Sequence, residues 1–386
     1  MEKCIIISDS FKGTLSSRDI CDIVEKNLPD YFPDCELIKV PVADGGEGTV
    51  TCFYEACGGD LVDVAVQGPY GETVHAAYVR LPGGEAVVEM ASAAGLPQVG
   101  DRKNPCKTST YGVGQIIRYA VEHGARKILL GLGGSCTNDG GCGCAAALGV
   151  RFFDHEGNAF IPVGETLDRI EKIDLHEAKA FLRDVQIVVM CDIENPLHGP
   201  NGAAYVYAPQ KGADAQMVAF LDEQLMAFDA VIQRELGCQV ADVPGSGAAG
   251  GFGAGMLAFF HAELKPGIET VLDLVKFEEL LTGCDVVFTG EGRLDLQSIQ
   301  GKTIHGVGKR ASRCRVPVIA IVGGVTPDVE EICDAPETGI AAVFSINRQA
   351  IPFSESQYQS RENYEYTFRN ILRLIRLSEN MRASST

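Results

Sequence analysis

Short apolar runs alternate with amphipathic stretches along most of this chain, and several of the runs stop abruptly in glycine- and acid-rich loops. Residues 4–8 lead into Asp9-Ser10-Phe11-Lys12-Gly13, and residues 36–40 into Ala43-Asp44-Gly45-Gly46-Glu47-Gly48-Thr49. Residues 127–130 lead into the long segment 131–141, residues 285–288 into 289–295, and residues 316–322 into 323–328. Runs of this length flanked by glycine read as buried strands of a parallel sheet. In such a sheet the carboxyl ends of the strands share one edge, and ligands bind along it. Glycine brings backbone N–H groups close to an anion, a following helix N-terminus favours negative charge, and nearby carboxylates suit a hard cation such as Mg²⁺. The pattern therefore predicts a site for a phosphorylated ligand with metal.

Helical periodicity fills the intervals. Ser16 and Asp19 have capping-box spacing, and Ile20, Ile23, Val24 and Leu28 follow on one face. Helices are also predicted over 49–56, stopped by Gly58-Gly59, over 111–122, closed by Gly124, and over 217–236, ended by Gly237. Residues 361–381 form a last amphipathic helix, with Tyr364, Phe368, Ile371, Leu372 and Ile375 along its stripe. Residues 61–67, 74–80 and 85–90 differ in texture: they are β-rich and separated by Gly-Pro-type turns, which argues for antiparallel hairpins. Further apolar runs lie at 150–153, 186–190 and 203–207, and the βα rhythm resumes beyond Phe277. The resulting expectation is α/β. A doubly wound, mostly parallel Rossmann-like domain would comprise 1–59, 95–147 and 276–386. A second, mixed α/β domain would comprise 60–94 and 148–275, with the active site in the interdomain cleft.

Composition narrows the function. At 386 residues two domains are natural, and 46% apolar with 22% charged residues is ordinary for a globular protein. Thirty-three basic against 52 acidic residues give a net charge of −19, which disfavours nucleic acid and anionic membranes as partners. No stretch has the apolar length of a signal-peptide core or a bilayer span, so a cytoplasmic protein is expected; a homodimer is left open. The fourteen cysteines are scattered, which suits buried thiols in a reducing compartment. Cys136, Cys142 and Cys144 cluster but lack a fourth soft ligand at finger spacing, so they read as small residues in a tight turn.

Familiar nucleotide motifs do not account for the loops. Gly301-Lys302-Thr303 has Leu296 where a Walker A loop needs its first glycine. Gly245-Ser246-Gly247-Ala248-Ala249-Gly250 matches G-x-G-x-x-G, but it follows Asp242-Val243-Pro244 rather than a strand. A glycine-rich helix start, with Ala254, Met256 and Leu257 packing behind it, is the plainer reading. Kinase-type and G-x-S-x-G signatures are absent.

Read together, the segments resemble the glycerate kinases of the glycerate-2-kinase (bacterial type I) family. The resemblance rests on Ser8-Asp9-Ser10-Phe11-Lys12-Gly13, residues 41–49, residues 110–115, residues 133–141, Asp192-Ile193-Glu194-Asn195-Pro196-Leu197, residues 199–203, residues 247–251, residues 289–295 and Gly301-Lys302. They span essentially the whole chain in the family's order. Cys136 and Glu194 are small departures, where alanine and a basic or polar residue are expected. The resemblance implies a two-domain α/β enzyme that transfers the γ-phosphoryl group of ATP to D-glycerate, with the 2-position favoured over the 3-position.

Phosphoryl transfer asks mainly for positioning and charge neutralisation. Lys12, just past the first strand, could reach a phosphate or the glycerate carboxylate, although an exposed lysine is the plainer alternative. Gly133, Gly134, Ser135, Thr137 and Asn138 are the candidate phosphate cradle, with Lys302 a second phosphate contact. The carboxylates of Asp44, Glu47, Asp139 and Glu291 are candidate Mg²⁺ ligands, more than one such ion uses. Asp192 or Asp295 would accept the substrate hydroxyl proton. Arg293 would clamp the carboxylate or offset charge on the transferring group. A nicotinamide-dependent oxidoreductase and a non-catalytic sugar-acid-binding protein are the competing readings; neither needs so many carboxylates.

Overall fold

The computed structural model describes residues 1–11, 13–42, 45–46, 48–294, 303–326, 335 and 338–383. Its strands are, in chain order, β1 (Lys3–Ser8), β2 (Glu36–Pro41), β3 (Asp60–Gln67), β4 (Thr73–Arg80), β5 (Glu85–Glu89), β6 (Lys127–Gly131) and β7 (Arg151–Phe153). They continue as β8 (Ala159–Phe160), β9 (Lys172–Asp174), β10 (Gln186–Met190), β11 (Glu263–Lys265), β12 (Val286–Gly290), β13 (Val318–Val322) and β14 (Ile340–Ser345). The chain divides into two compact units, Met1–Ala43 with Ile268–Thr386, and Asp44–Gly267.

The first unit carries a five-stranded sheet in the order β14-β13-β12-β1-β2, parallel throughout. Its strands lack polar alternation because both faces are covered. Cys4 and Ile6 of β1, Phe288 and Ile321 share a cluster with Ile20 and Val24 of helix Ser17–Asn27 and with Tyr364, Phe368 and Leu372 of helix Ser360–Ala383. Ile5 and Ile7, equally buried, take the opposite side of the pleat. The predicted capping box is present: Ser16 Oγ accepts from the Asp19 N–H, and the Asp19 carboxylate accepts from the Ser16 N–H. A cap of this kind contributes about 1 kcal/mol.

The second unit carries a six-stranded mixed sheet, β11-β10-β6-β5-β4-β3. The predicted hairpins are there, with β3 antiparallel to β4 and β4 to β5, whereas β5, β6, β10 and β11 run parallel. Val113, Ile116, Ile117 and Ala120 of helix Tyr111–Glu122 bury their stripe with Val64, Tyr78, Ala86 and Val88 of the sheet. A second cluster centres on Phe152, Phe228 and Phe259, packed edge to face with centroids 5.6 and 6.1 Å apart. Helix Ala215–Leu236 starts at Asp214, whose carboxylate caps the Met217 N–H, and ends at Gly237 in the left-handed region.

Two elements depart from expectation. Residues 95–147, assigned by sequence to the Rossmann-like domain, belong to the second unit, because β6 pairs with β5 and β10 rather than with β1 or β12. Residues 44–59 go with them. The apolar run Ala203–Tyr207 is a helix that buries Ala203 and Ala204, not a strand.

Candidate active site

In the first unit the strand order is that of a doubly wound sheet whose direction of winding reverses between β1 and β12. At such a switch point the loops after adjacent strands part and leave a crevice at the carboxyl edge. A cavity of about 650 Å³ lies there, lined by Asp9 and Ser10 after β1, Glu291 and Arg293 after β12, and residues following β13 and β14. The loops are laced together by backbone. The Asp9 N–H donates to the Gly290 carbonyl (2.9 Å), Gly323 N–H to the Glu291 carbonyl (3.2 Å) and Leu294 N–H to the Gly324 carbonyl (2.9 Å). Two glycines permit this stacking: a Cβ on Gly290 would meet the Ile321 carbonyl oxygen at 2.1 Å, and one on Gly323 the Gly292 oxygen at 2.4 Å. The Asp9 carboxylate accepts the Ser10 N–H at 2.6 Å. Glu291 is buried and Arg293 exposed. Of the residues nominated from sequence, Glu291 and Arg293 are thus brought together; Lys12, Asp295 and Lys302 lie outside the described residues.

In the second unit the loop after β6 is also glycine-laced. A Cβ on Gly131 would sit 2.4 Å from the Gly45 carbonyl oxygen, one on Gly133 2.4 Å from Gly46 Cα, and the Gly133 N–H donates to Gly45 at 2.9 Å. The second and third acid- and glycine-rich loops of the sequence therefore touch, although Asp44 and Glu47 themselves lie outside the described residues. Behind the loop, residues 245–251 form a backing. Ala249, Gly250 and Gly251 take φ of 51°, 71° and 86°, and a Cβ on Gly250 would fall 2.2 Å from the Thr137 carbonyl oxygen. The G-x-G-x-x-G match is thus a close-packed support at a helix start.

This packing changes what the loop presents. Gly134 is exposed and Gly133 partly so, whereas Ser135, Thr137, Asn138 and Asp139 are buried. Thr137 Oγ1 and both polar atoms of the Asn138 amide are buried without a hydrogen-bond partner among the described residues. Asp139 Oδ2 accepts the Thr110 N–H and hydroxyl (both 2.8 Å) and the Gly143 N–H (3.3 Å), and Oδ1 accepts the Gly141 N–H (3.1 Å). Burial pushes this carboxyl upward, and the four hydrogen bonds oppose that. A carboxylate committed in this way organises the turn and is poorly placed to ligate Mg²⁺ as well. Asp192 is exposed beyond β10, its Oδ1 accepting the Gly267 N–H at 2.7 Å. The thiols of Cys136, Cys142 and Cys144 are buried, and burial raises all three, Cys136 to about 12. Neutral thiols of this kind are packing groups.

Sequence reasoning passed over Lys211. Its side chain is only 2% exposed, and its ammonium donates to Ser135 Oγ (3.0 Å) and to the Thr137 carbonyl (2.7 Å). Burial pulls it down to about 8. Pro209-Gln210-Lys211-Gly212 reads as a surface turn, and its only signal is that Lys211 immediately precedes Gly212, which has a φ of 97°. Among the described residues no three His, Cys, Asp or Glu side chains converge as a metal cage, and no helix is long and apolar enough to cross a membrane.

A parallel α/β sheet with a charged cavity at its switch point is the arrangement of an enzyme of the doubly wound class. Comparison with known proteins makes this specific. The pattern of the glycerate kinase family matches residues 4–376. Glycerate kinase from Bacillus subtilis is 42% identical over 98% of this chain and 99% of its own, and glycerate 2-kinase from Escherichia coli is 42% identical over 96% and 97%. A solved structure described as glycerate kinase 2 from Salmonella typhimurium superposes with a TM-score of 0.84, at 39% identity, covering 98% of this chain and 99% of that one. The chain belongs to the glycerate kinase family.

Proposed function

We propose that this enzyme uses ATP to phosphorylate D-glycerate, and that the phosphoryl group goes to the 2-hydroxyl. Membership of the family across nearly the whole chain is the observation that carries the reading, and the name of the E. coli relative supports the 2-position. The charged residues of the first unit suit the polyanionic end of the reaction. Arg293 offers a planar, bidentate cation to phosphate or carboxylate oxygens. Asp9 and Glu291, hard oxygen donors on the cavity wall, fit a Mg²⁺ ion that keeps several of its waters. Bound there, the ion would offset charge on the phosphates. Asp44 and Glu47 remain proposed ligands from sequence. In the second unit the N–H groups of Gly134 and Ser135 and the Ser135 hydroxyl would be the donors offered to an anion, the Gly133 N–H being taken by Gly45, with Lys211 fixing the loop from below. Asp192 and Asp295 remain the proposed bases, and Lys12 and Lys302 the proposed cationic contacts.

The deciding experiment is a coupled assay of ADP release with ATP, Mg²⁺ and D-glycerate, with phosphorus NMR of the product. ADP release that depends on D-glycerate and a 2-phospho resonance are expected. Release independent of the acid would remove the function, and a 3-phospho product would remove the regiochemistry. No observation favours the oxidoreductase or the non-catalytic binding protein.

A further inference from the structure

The cavity at the carboxyl edge of the first sheet is polarised along its length. Among the described residues, its β1/β12 side carries all three of its ionic groups, Asp9, Glu291 and Arg293, together with Ser10, Thr14 and the buried Phe11. Its β13/β14 side carries Val325, Asn347 and Phe353. Val325 is 47% and Phe353 66% exposed, so two large apolar side chains stand open to solvent within one concavity. Isolated exposed apolar residues are ordinary, but a concave pair beside polar groups marks a ligand site. Asn347 is held in place by its own Nδ2 donating to the Gly323 carbonyl at 2.7 Å. From β1 to β14 the edge crosses three strand spacings, about 14 Å in all.

We infer that this cavity takes the nucleoside of the nucleotide donor, with the base against Phe353 and Val325 and the phosphates toward Arg293. The inference rests on the kinase reading above and says which reactant the cavity serves. Size and polarity select the nucleotide over the acid. A volume of about 650 Å³ lies within the range of about 300–1,000 Å³ that encloses drug-sized ligands. A three-carbon acid occupies no more than a few waters' worth of such a space, at about 30 Å³ each. Glycerate also has no apolar face to set against a phenyl ring, whereas every base has one. The charged end and the apolar end match the two ends of a nucleoside phosphate in order.

Two variants test this without touching the core. Phe353→Ala removes a largely exposed ring. Gly324→Leu adds a side chain on the cavity wall, where a Cβ meets nothing within 4 Å and φ is not in the left-handed region. ATP binding is measured by calorimetry on the full chain without glycerate, alongside Tm and the steady-state KM for D-glycerate. The Kd for ATP should rise about tenfold in Phe353→Ala, the loss of one base–aromatic contact, and at least as much in Gly324→Leu. Tm and the glycerate KM should stay near wild type. ATP affinity unchanged in both variants, or a glycerate KM that rises while ATP affinity holds, would overturn the assignment. An effect of Gly324→Leu alone would overturn the stacking on Phe353. If ATP binding weakens as described but the wild-type protein shows no glycerate-dependent turnover, the acid substrate is lost and the nucleotide cavity stands.

Discussion

Lys211→Met is the most informative single substitution. Two consequences of the structure pull in opposite directions. Removing the ammonium leaves Ser135 Oγ and the Thr137 carbonyl without the donors they have at 3.0 and 2.7 Å, at a cost of about 1–3 kcal/mol for each buried acceptor. Against this, burial has drawn the lysine from 10.5 to about 8. That difference corresponds to about 3 kcal/mol spent at neutral pH on keeping the group charged inside the protein. Methionine fills a similar volume with no charge to desolvate, and such exchanges are often neutral or stabilising. The expectation is a ΔG of unfolding within about 1–2 kcal/mol of wild type at pH 7, together with a fall in kcat/KM of about a hundredfold or more as the loop loses its fixed geometry. The pH dependence has a definite sign. Between the folded and unfolded values the unfolded chain binds the extra proton, so wild-type stability gains as pH rises from about 8 toward 10.5. From pH 7 to about pH 9.5 this one group adds about 2 kcal/mol, and the variant lacks that increment. Urea unfolding at the two pH values, followed by far-UV circular dichroism, measures both quantities. A large loss of stability at pH 7, with kinetics falling only as the folded fraction falls, would show that Lys211 is a structural strut. Equal pH slopes for the two proteins would refute the burial argument itself.

Other expectations follow from the same geometry. Arg293→Ala, at an exposed cavity position, should lower kcat/KM by orders of magnitude while leaving Tm within a degree or two, since surface substitutions change stability by about 0.5 kcal/mol or less. Gly250→Ala must place a methyl 2.2 Å from the Thr137 oxygen at a φ of 71°, so a loss of at least about 2 kcal/mol is expected in denaturant titration. Arg310 is 12% exposed and donates to Glu278, Asp273 and Glu269 at 2.6, 2.8 and 3.4 Å, contacts that hold its guanidinium above its ordinary value. Arg310→Met should cost about 1 kcal/mol at low salt and less at high salt, as thermal melts at two ionic strengths would show.

Much of the local structure was legible because its causes are local. Ser16 and Asp19 cap a helix three residues apart, Gly58 and Gly237 end helices by accepting positive φ, and the turns at 68–72 and 81–85 fold hairpins on themselves. Sheet membership was not legible. Nothing in residues 127–131 distinguishes a partner at β1 from one at β5, since every central parallel strand is apolar on both faces. The packing role of the glycines of 131–141 was not legible, because sequence cannot separate a glycine that admits a ligand from one that admits another backbone. Here Gly131, Gly133 and Gly140 meet protein: Gly45, Gly46 and the ring of Phe228. Lys211 was missed for a related reason: its burial is created by Ser135 and Thr137, more than seventy positions away.

The topology of the first sheet also orders events during synthesis. Cys4 of β1 pairs with Val286 of β12, and the contiguous block 44–267 lies between them in the chain. On the ribosome the amino-terminal hydrophobic strand must wait, one edge unsatisfied, while the whole inserted unit emerges and can fold first. During that interval Cys-Ile-Ile-Ile is an adhesive segment with only β2 beside it, and a stalled or truncated product ending before β12 would be prone to aggregate.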